Sequence, residues 1–278
     1  MLPNLLVIGA MKGGTTSLWE YLRQHPSVHM SPTKEIHFFD RDDRWARGRS
    51  WYEEHFAGAA EGETVIGEAT PAYTRFPLHR DVPRRAASLV PDAKLVYVLR
   101  EPIARIRSHY LHHRSLGLET LPFAQAVVEH STYVDTSRYA LQIRQWLRHY
   151  GRDQLLVITS EQLRADHAAT MRRVYGFLGV DDTFSSTAEE LHRTEEKYVP
   201  RPVANRLRSS RLGERVVESV PSSVAPALQR VWALTRHRPD HGGVQIDEGL
   251  RRALGDLLRD DVAELREHLG SDVDHWGL

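Results

Sequence analysis

The chain has 278 residues, 37 basic and 37 acidic side chains for a formal net charge of +0, and no cysteine. That balance excludes broad electrostatic attachment to nucleic acid or to an anionic membrane surface. The missing cysteine excludes disulfides, thiolate metal sites and a cysteine nucleophile, and it fits a reducing compartment.

In chain order, the apolar run NLLVIG (residues 4–9) reads as a strand. A helix follows from Gly14 to about Gln24, with Leu18 and Leu22 on one face, and His25-Pro26 ends it. EIHFFD (35–40) reads as an extended segment, and the aromatic stretch GRSWYEEHF (48–56) comes after it. VIGEAT (65–70) is a second strand candidate and residues 78–89 a helix. KLVYVL (94–99) is a third strand, a continuous apolar run suited to a sheet covered on both faces. Residues 100–115 read as helix with Pro102 in the first turn. Further helices are expected at 137–150 and 171–178, and QLLVIT (154–159) is a fourth strand. Strands alternating with helices imply an α/β fold: a parallel sheet flanked by helices, with ligands at the carboxyl ends of the strands.

From about Thr194 the texture changes. EEKYVPRPVANRLRSSRLGER is basic and polar and reads as a loop leading into a short helix. HRPDHGG (237–243) is a turn-rich joint, and residues 250–269 form a last amphipathic helix. No repeat or low-complexity tract interrupts the chain, so residues 1–278 are expected to form a single domain. The longest early apolar run is far short of a membrane span. With the first strand only a few residues from Met1, no trimmed leader is expected and a cytoplasmic location is.

The segment GAMKGGTTS (9–17) carries the chemistry. A glycine loop opening a helix presents backbone N–H groups and the positive end of the helix dipole to an anion. Thr15, Thr16 and Ser17 add hydroxyl donors. The spacing Gly9 to Gly14 and the hydroxyl of Thr16 fit the phosphate loop of nucleotide triphosphatases, but the lysine does not. Position 15 is Thr, and the lysine is Lys12, inside the loop. Nor does KLVYVL end in a metal-binding aspartate; it ends in Arg100, which favours phosphate oxygens. HYLHH (109–113) offers His109 and His113 at i, i+4, but without the intervening glutamate of a zinc helix. The residues imply a nucleotide with an additional phosphate, held without a metal.

GAMKGGTTSLWEYL resembles the 5′-phosphosulfate loop of sulfotransferases that use 3′-phosphoadenosine 5′-phosphosulfate (PAPS), and LVYVLREPIARIRSHY resembles their 3′-phosphate segment. KEIHFFD, WYEEHF, SRYALQIRQWL and the closing helix ending in Trp276 resemble the heparan sulfate 3-O- and N-sulfotransferase-like branch. The resemblance implies a P-loop-like sulfotransferase fold, PAPS as donor, 3′-phosphoadenosine 5′-phosphate (PAP) as product, and no metal requirement. It implies that Lys12 stabilises the leaving phosphate. Gly13, Gly14, Thr15, Thr16 and Ser17 would hold the 5′-phosphate, and Arg100 and Ser108 the 3′-phosphate. Glu35 would be the catalytic base with His37 assisting. Lys197, Tyr198 and Arg201, in the basic loop, would close over the nucleotide. Ala69 replaces a lysine of that branch, its cysteine pair is missing, and no strongly basic cleft is apparent. A small glycan, glycolipid or hydroxylated natural product is therefore the expected acceptor, and a bacterial-type relative the expected source. Two other readings stay open: a P-loop kinase with an atypical loop, using Glu68 or Glu161 near a metal, and a silent nucleotide-binding protein.

Overall fold

The computed structural model describes residues 1–187, 199–200, 236–237, 244, 246–269 and 276–278. Lys197, Tyr198, Arg201 and the basic loop around them lie outside the described residues.

Five parallel strands form the central sheet: β1 (Leu5–Gly9), β2 (Val28–Met30), β3 (Val65–Ala69), β4 (Lys94–Leu99) and β5 (Leu155–Thr159), in the order β2-β3-β1-β4-β5. β1 pairs with β3 on one side and β4 on the other. The chain thus reverses its direction of sheet growth at β1, and the carboxyl end of β1 is a topological switch point, the usual crevice for a ligand.

Alternate residues of the same strand enter different cores. Leu6, Ile8, Leu95, Tyr97, Leu155 and Val157 face one cluster, while Leu5, Val7, Val96, Val98, Leu156 and Ile158 face another. Both sets are fully or nearly fully buried. That is why the strands read as unbroken apolar runs rather than as alternation. Each such side chain withdrawn from water contributes roughly 1.5–3 kcal/mol.

The face of Leu5 and Val7 is covered by α1 (Thr15–Arg23) and, later in the chain, α10 (His167–Leu178). α2 (Asp42–Trp45), α3 (Gly48–Glu54), α4 (Val82–Leu89) and α8 (Tyr139–Trp146) serve the opposite face. α5 (Pro102–Ser115), α6 (Phe123–Glu129) and α7 (Thr132–Asp135) form a third cluster with the closing helix. α9 (Ser160–Ala165) follows β5 directly, capped by the Thr159 hydroxyl, which accepts from the Gln162 amide. The closing helix, α11 (Glu248–Leu269), buries Leu254, Leu258 and Val262 against Ile103 and Ile106. Its Asp261 accepts from the amides of Ala140 and Leu141 at the start of α8. Among the described residues, no helix is long and apolar enough to cross a membrane.

The α/β class and four of the strands match the sequence reading. The differences have local causes. β2 is three residues long and exists by pairing with β3, not by any apolar run of its own. The helix expected from residue 78 begins at Val82, because the segment before it is clamped elsewhere. The Phe76 amide donates to Gln142 Oε1 at 2.8 Å and its carbonyl accepts from Gln142 Nε2 at 2.9 Å. α5 starts at Pro102, after Arg100, with Glu101 capping the amides of Ile103 and Ala104. α6 and α7 were not foreseen.

Below the sheet's carboxyl edge lies a fully buried carboxylate. Glu68 Oε1 accepts from Tyr52 at 2.5 Å and Tyr73 at 2.8 Å, and Oε2 from Thr70 at 2.6 Å. Burial pushes its pKa up, against the pull of these hydroxyls. The carboxylate joins α3, β3 and the turn after it. Glu68→Ala strands three buried hydroxyls and opens a cavity. Its expected cost is about 3 kcal/mol or more, seen as a lower urea midpoint; a loss within ~0.5 kcal/mol would show that the network carries no stability.

Candidate functional site

The loop after β1 is built backbone against backbone. The Ala10 amide donates to the Val98 carbonyl of β4 at 2.7 Å, and the Gly13 amide turns back to the Ala10 carbonyl at 2.8 Å. A Cβ on Gly13 would stand 2.4 Å from that same Val98 oxygen, so only glycine fits. Lys12 has φ 69 and Gly14 φ 109, both in the left-handed region. Of the expected phosphate-binding residues, Gly13 thus contributes shape, its amide being committed inside the loop. Among the described residues, no backbone carbonyl accepts from the amides of Gly14, Thr15 or Thr16. α1 starts at Thr15 with no side-chain cap and no acidic residue in its first turn. Its positive end is left to attract an anion. Thr15 is buried; Lys12, Thr16 and Ser17 are half-buried.

β4 carries the second group. Arg100 follows its last residue and is half-buried. Burial lowers its pKa, and Arg164 lowers it further. Among the described residues, no carboxylate forms an ion pair with it. Two turns into α5, Ser108 is 5% exposed, and among the described residues its hydroxyl has no hydrogen-bond partner. An orphaned hydroxyl in a buried position is costly unless a ligand completes it. Ser160 shows the same feature at the tip of β5, its Cβ 3.7 Å from where a Cβ on Gly14 would lie.

The opposite flank holds the acid–base group. The Glu35 amide donates to the Ala69 carbonyl at 3.0 Å, which ties it to the end of β3 beside β1. Ile36, Phe38 and Phe39 are buried; Phe38 stacks on Tyr52 at 4.2 Å. Anchoring every second residue leaves Glu35 and His37 on the other side. An extended segment would place both side chains on one face, but residues 35–37 are not extended. Glu35 and His37 have φ 63 and 55, and the left-handed turns bring Oε2 and Nε2 to 3.7 Å.

Electrostatics fix the charge states. Lys34 Nζ lies 2.5 Å from Glu35 Oε1. Burial would raise the Glu35 pKa, but His37 and Lys34 hold it down at about 2. Burial would lower His37, but Asp40, 2.9 Å from Nδ1, and Glu35 raise it to about 9. Asp40, with a side chain 3% exposed and Oδ1 unpartnered, was not singled out from the sequence. Its position three residues after His37 was the available signal.

Of the two carboxylates offered for a metal, Glu68 is closed and Glu161 is engaged through one oxygen, its Oε2 having no partner among the described residues. Glu68 is enclosed by its hydroxyl donors, and Glu161 Oε1 accepts from the Glu101 amide at 3.2 Å and from Arg164 at 3.4 Å.

These features define a P-loop-like α/β protein with an anion-binding loop at its switch point, arginine on one flank and a carboxylate–imidazole pair on the other. The chain belongs to the family described as Sulfotransferase domain, which matches residues 2–207. It is 35% identical over 188 residues to the Mus musculus heparan sulfate glucosamine 3-O-sulfotransferase 3A1, covering 64% of this chain and 46% of that protein. The chain thus spans about half the length of such relatives. A sulfotransferase structure from Alicyclobacillus acidocaldarius superposes with a TM-score of 0.73 at 24% identity, covering 100% of both chains. Mouse sulfotransferase SULT7A1 complexed with PAP gives 0.51 at 14% identity, covering 93% of this chain and 84% of that one. At these identities the likeness shows the sulfotransferase fold.

The raised His37 pKa yields a direct check. The imidazolium, and the ion pairs it makes, persist below about pH 9 and dissolve as pH rises through that value. An NMR titration should find His37 protonated at pH 7, and Asp40→Asn should bring its midpoint down toward the ordinary value of ~6.5. A wild-type midpoint already at the ordinary value would remove the Asp40–His37–Glu35 charge arrangement.

Proposed function

We propose that this chain is a PAPS-dependent O-sulfotransferase that moves a sulfuryl group to a hydroxyl of a glycan, glycolipid or natural product. The observation that carries this reading is the orphaned, buried Ser108 hydroxyl on the helix that follows Arg100, across from the uncapped phosphate loop. It supplies a second anion position on a strand tip where a triphosphatase needs a metal-binding acid. A 3′-phosphate fits that chemistry. A neighbour of the same fold that holds PAP agrees with it.

In this reading the first-turn amides of α1, with Thr16 and Ser17, hold the 5′-phosphate, and Arg100 and Ser108 hold the 3′-phosphate. Lys12 stabilises charge growing on the leaving phosphate oxygen. Glu35, ionised at neutral pH, accepts the acceptor's proton as its oxygen bonds to sulfur. His37 holds the Glu35 carboxylate in place from its position on Asp40. Residues 1–278 act as one domain, a reading supported by α11 packing on α5 and α8. The cysteine-free sequence agrees with work in a reducing, cytoplasmic setting.

PAP without magnesium should raise the melting temperature by several degrees at saturating concentration, since a ligand at ~100 times its Kd adds about 2.7 kcal/mol. Stabilisation by magnesium-ATP with none by PAP would point to the kinase reading instead.

Glu35→Gln should lower kcat by ~10²–10⁴-fold and leave the PAP Kd unchanged. Turnover indifferent to the change would remove Glu35 as base.

A further inference from the structure

Arg105 is fully buried on α5, and among the described residues no carboxylate forms an ion pair with it. Its Nε donates to Ser137 Oγ at 2.5 Å, one Nη donates to the Tyr133 carbonyl, and the other points at the Met11 carbonyl of the phosphate loop at 3.5 Å. A buried cation needs compensation. Here it comes through a chain. The Nη1 that faces Met11 also lies 3.2 Å from His109 Nδ1. His109 Nε2 is 3.1 Å from His113 Nε2, His113 Nδ1 is 3.0 Å from the Tyr133 hydroxyl, and that hydroxyl donates to Glu119 Oε2 at 3.0 Å. Glu119 is 5% exposed, and its Oε1 accepts from the amides of Thr120 and Leu121.

The direction of every bond follows from the first. A guanidinium has only donors, so His109 Nδ1 must accept and carries no proton. The single proton of neutral His109 is then on Nε2 and donates to His113 Nε2. His113 in turn carries its proton on Nδ1 and donates to Tyr133. Protonating either ring would set two N–H groups against each other. Burial and Arg105 push His109 far down, and burial and Arg75 hold His113 at about 4, so both rings are neutral at pH 7.

We propose that Arg105 is a positioning residue for the phosphate loop, held by a one-way hydrogen-bond relay through His109, His113 and Tyr133 to Glu119. The cation and carboxylate at its ends neutralise each other through polarised neutral groups. Arg105 thereby contacts the loop through the Met11 carbonyl. The effect on donor binding rests on the proposed function; the relay itself does not.

The test uses the full chain. Long-range proton–nitrogen NMR of the ligand-free protein at pH 7 should show His109 as the Nε2–H tautomer and His113 as the Nδ1–H tautomer. Two histidines in the same tautomer, or either one protonated, would overturn the relay. Glu119→Gln then reverses one end. Its amide oxygen keeps the Thr120 and Leu121 donors, so its NH₂ group faces the Tyr133 oxygen and the Tyr133 O–H proton loses its carboxylate acceptor. The variant should shift the Lys12 amide resonance, change a histidine tautomer and weaken PAP binding by ~5–10-fold; Glu119→Asp should largely restore it. Unmoved Lys12 and tautomer signals in a folded Glu119→Gln protein would refute the coupling. Where that variant does not fold, Tyr133→Phe, which deletes the same junction without reversing it, gives the same readouts. Correct tautomers and a shifted Lys12 signal, in a wild type that ignores PAP, would keep the relay and reject the donor.

Discussion

The contact on which the site depends is the seating of the phosphate loop on the last turns of β4. The Val98 carbonyl receives the Ala10 amide and leaves no room for a side chain on Gly13. Because β4 runs straight on into Arg100 and α5, this one backbone contact sets the distance between the two proposed anion positions. The loop and the α1 amides stand on one side of it, Arg100 and Ser108 on the other. Neither position depends on a flexible connection. A ligand with two phosphates at a fixed separation is matched by a rigid frame, with little ordering left to do on binding.

Charge is distributed to the same end. The chain is neutral overall, yet near the carboxyl edge of the sheet several carboxylates are taken up by structural partners. Glu68 is surrounded by hydroxyls, Glu101 caps α5, Asp40 faces His37, and Asp261 caps α8. Arg100 is left without a carboxylate among the described residues, and α1 begins without an acid. The acids at this edge thus serve largely structural roles, while Arg100, among the described residues, is left without a carboxylate. Only four lysines occur, and two of them, Lys12 and Lys34, lie at this edge.

How much of this could be read from the sequence follows the range of the forces involved. The parallel strands were legible because burial on both faces leaves a continuous apolar run such as KLVYVL. The loop was legible because close backbone approach demands glycine at a fixed spacing. The turns at Glu35 and His37 were not, since positive φ is signalled by glycine or asparagine and neither stands there. An extended segment would also bring them together, but here their proximity comes from two left-handed turns, with Ile36 buried between them and Phe38 and Phe39 buried after. The late start of α4 depends on Gln142, 66 residues away, which no local pattern reveals. Arg105 and His109 sat inside a quoted motif at helical spacing, but the relay needs Tyr133 and Glu119, from segments whose structure was not foreseen.

A carboxylate held at about 2 is a weak base, which bears on the order of events in the proposed reaction. An alcohol is far less acidic than any such carboxylic acid, so Glu35 could not remove the proton before attack. In a loose transition state it does not have to. The sulfuryl group leaves its donor oxygen early, and the alcohol proton becomes acidic only as the new oxygen–sulfur bond forms. What the step then requires is a carboxylate that is ionised, aligned and unable to turn away. Lys34 and His37 supply that from two sides, at the cost of basicity the reaction does not use. In the proposed reaction the heavier demand falls on the leaving oxygen, where charge collects first, and Lys12 in its glycine-bounded loop is the group proposed to meet it. Under the proposed mechanism, the low pKa of Glu35 and a lysine at the leaving oxygen would answer one requirement, that bond breaking runs ahead of proton transfer.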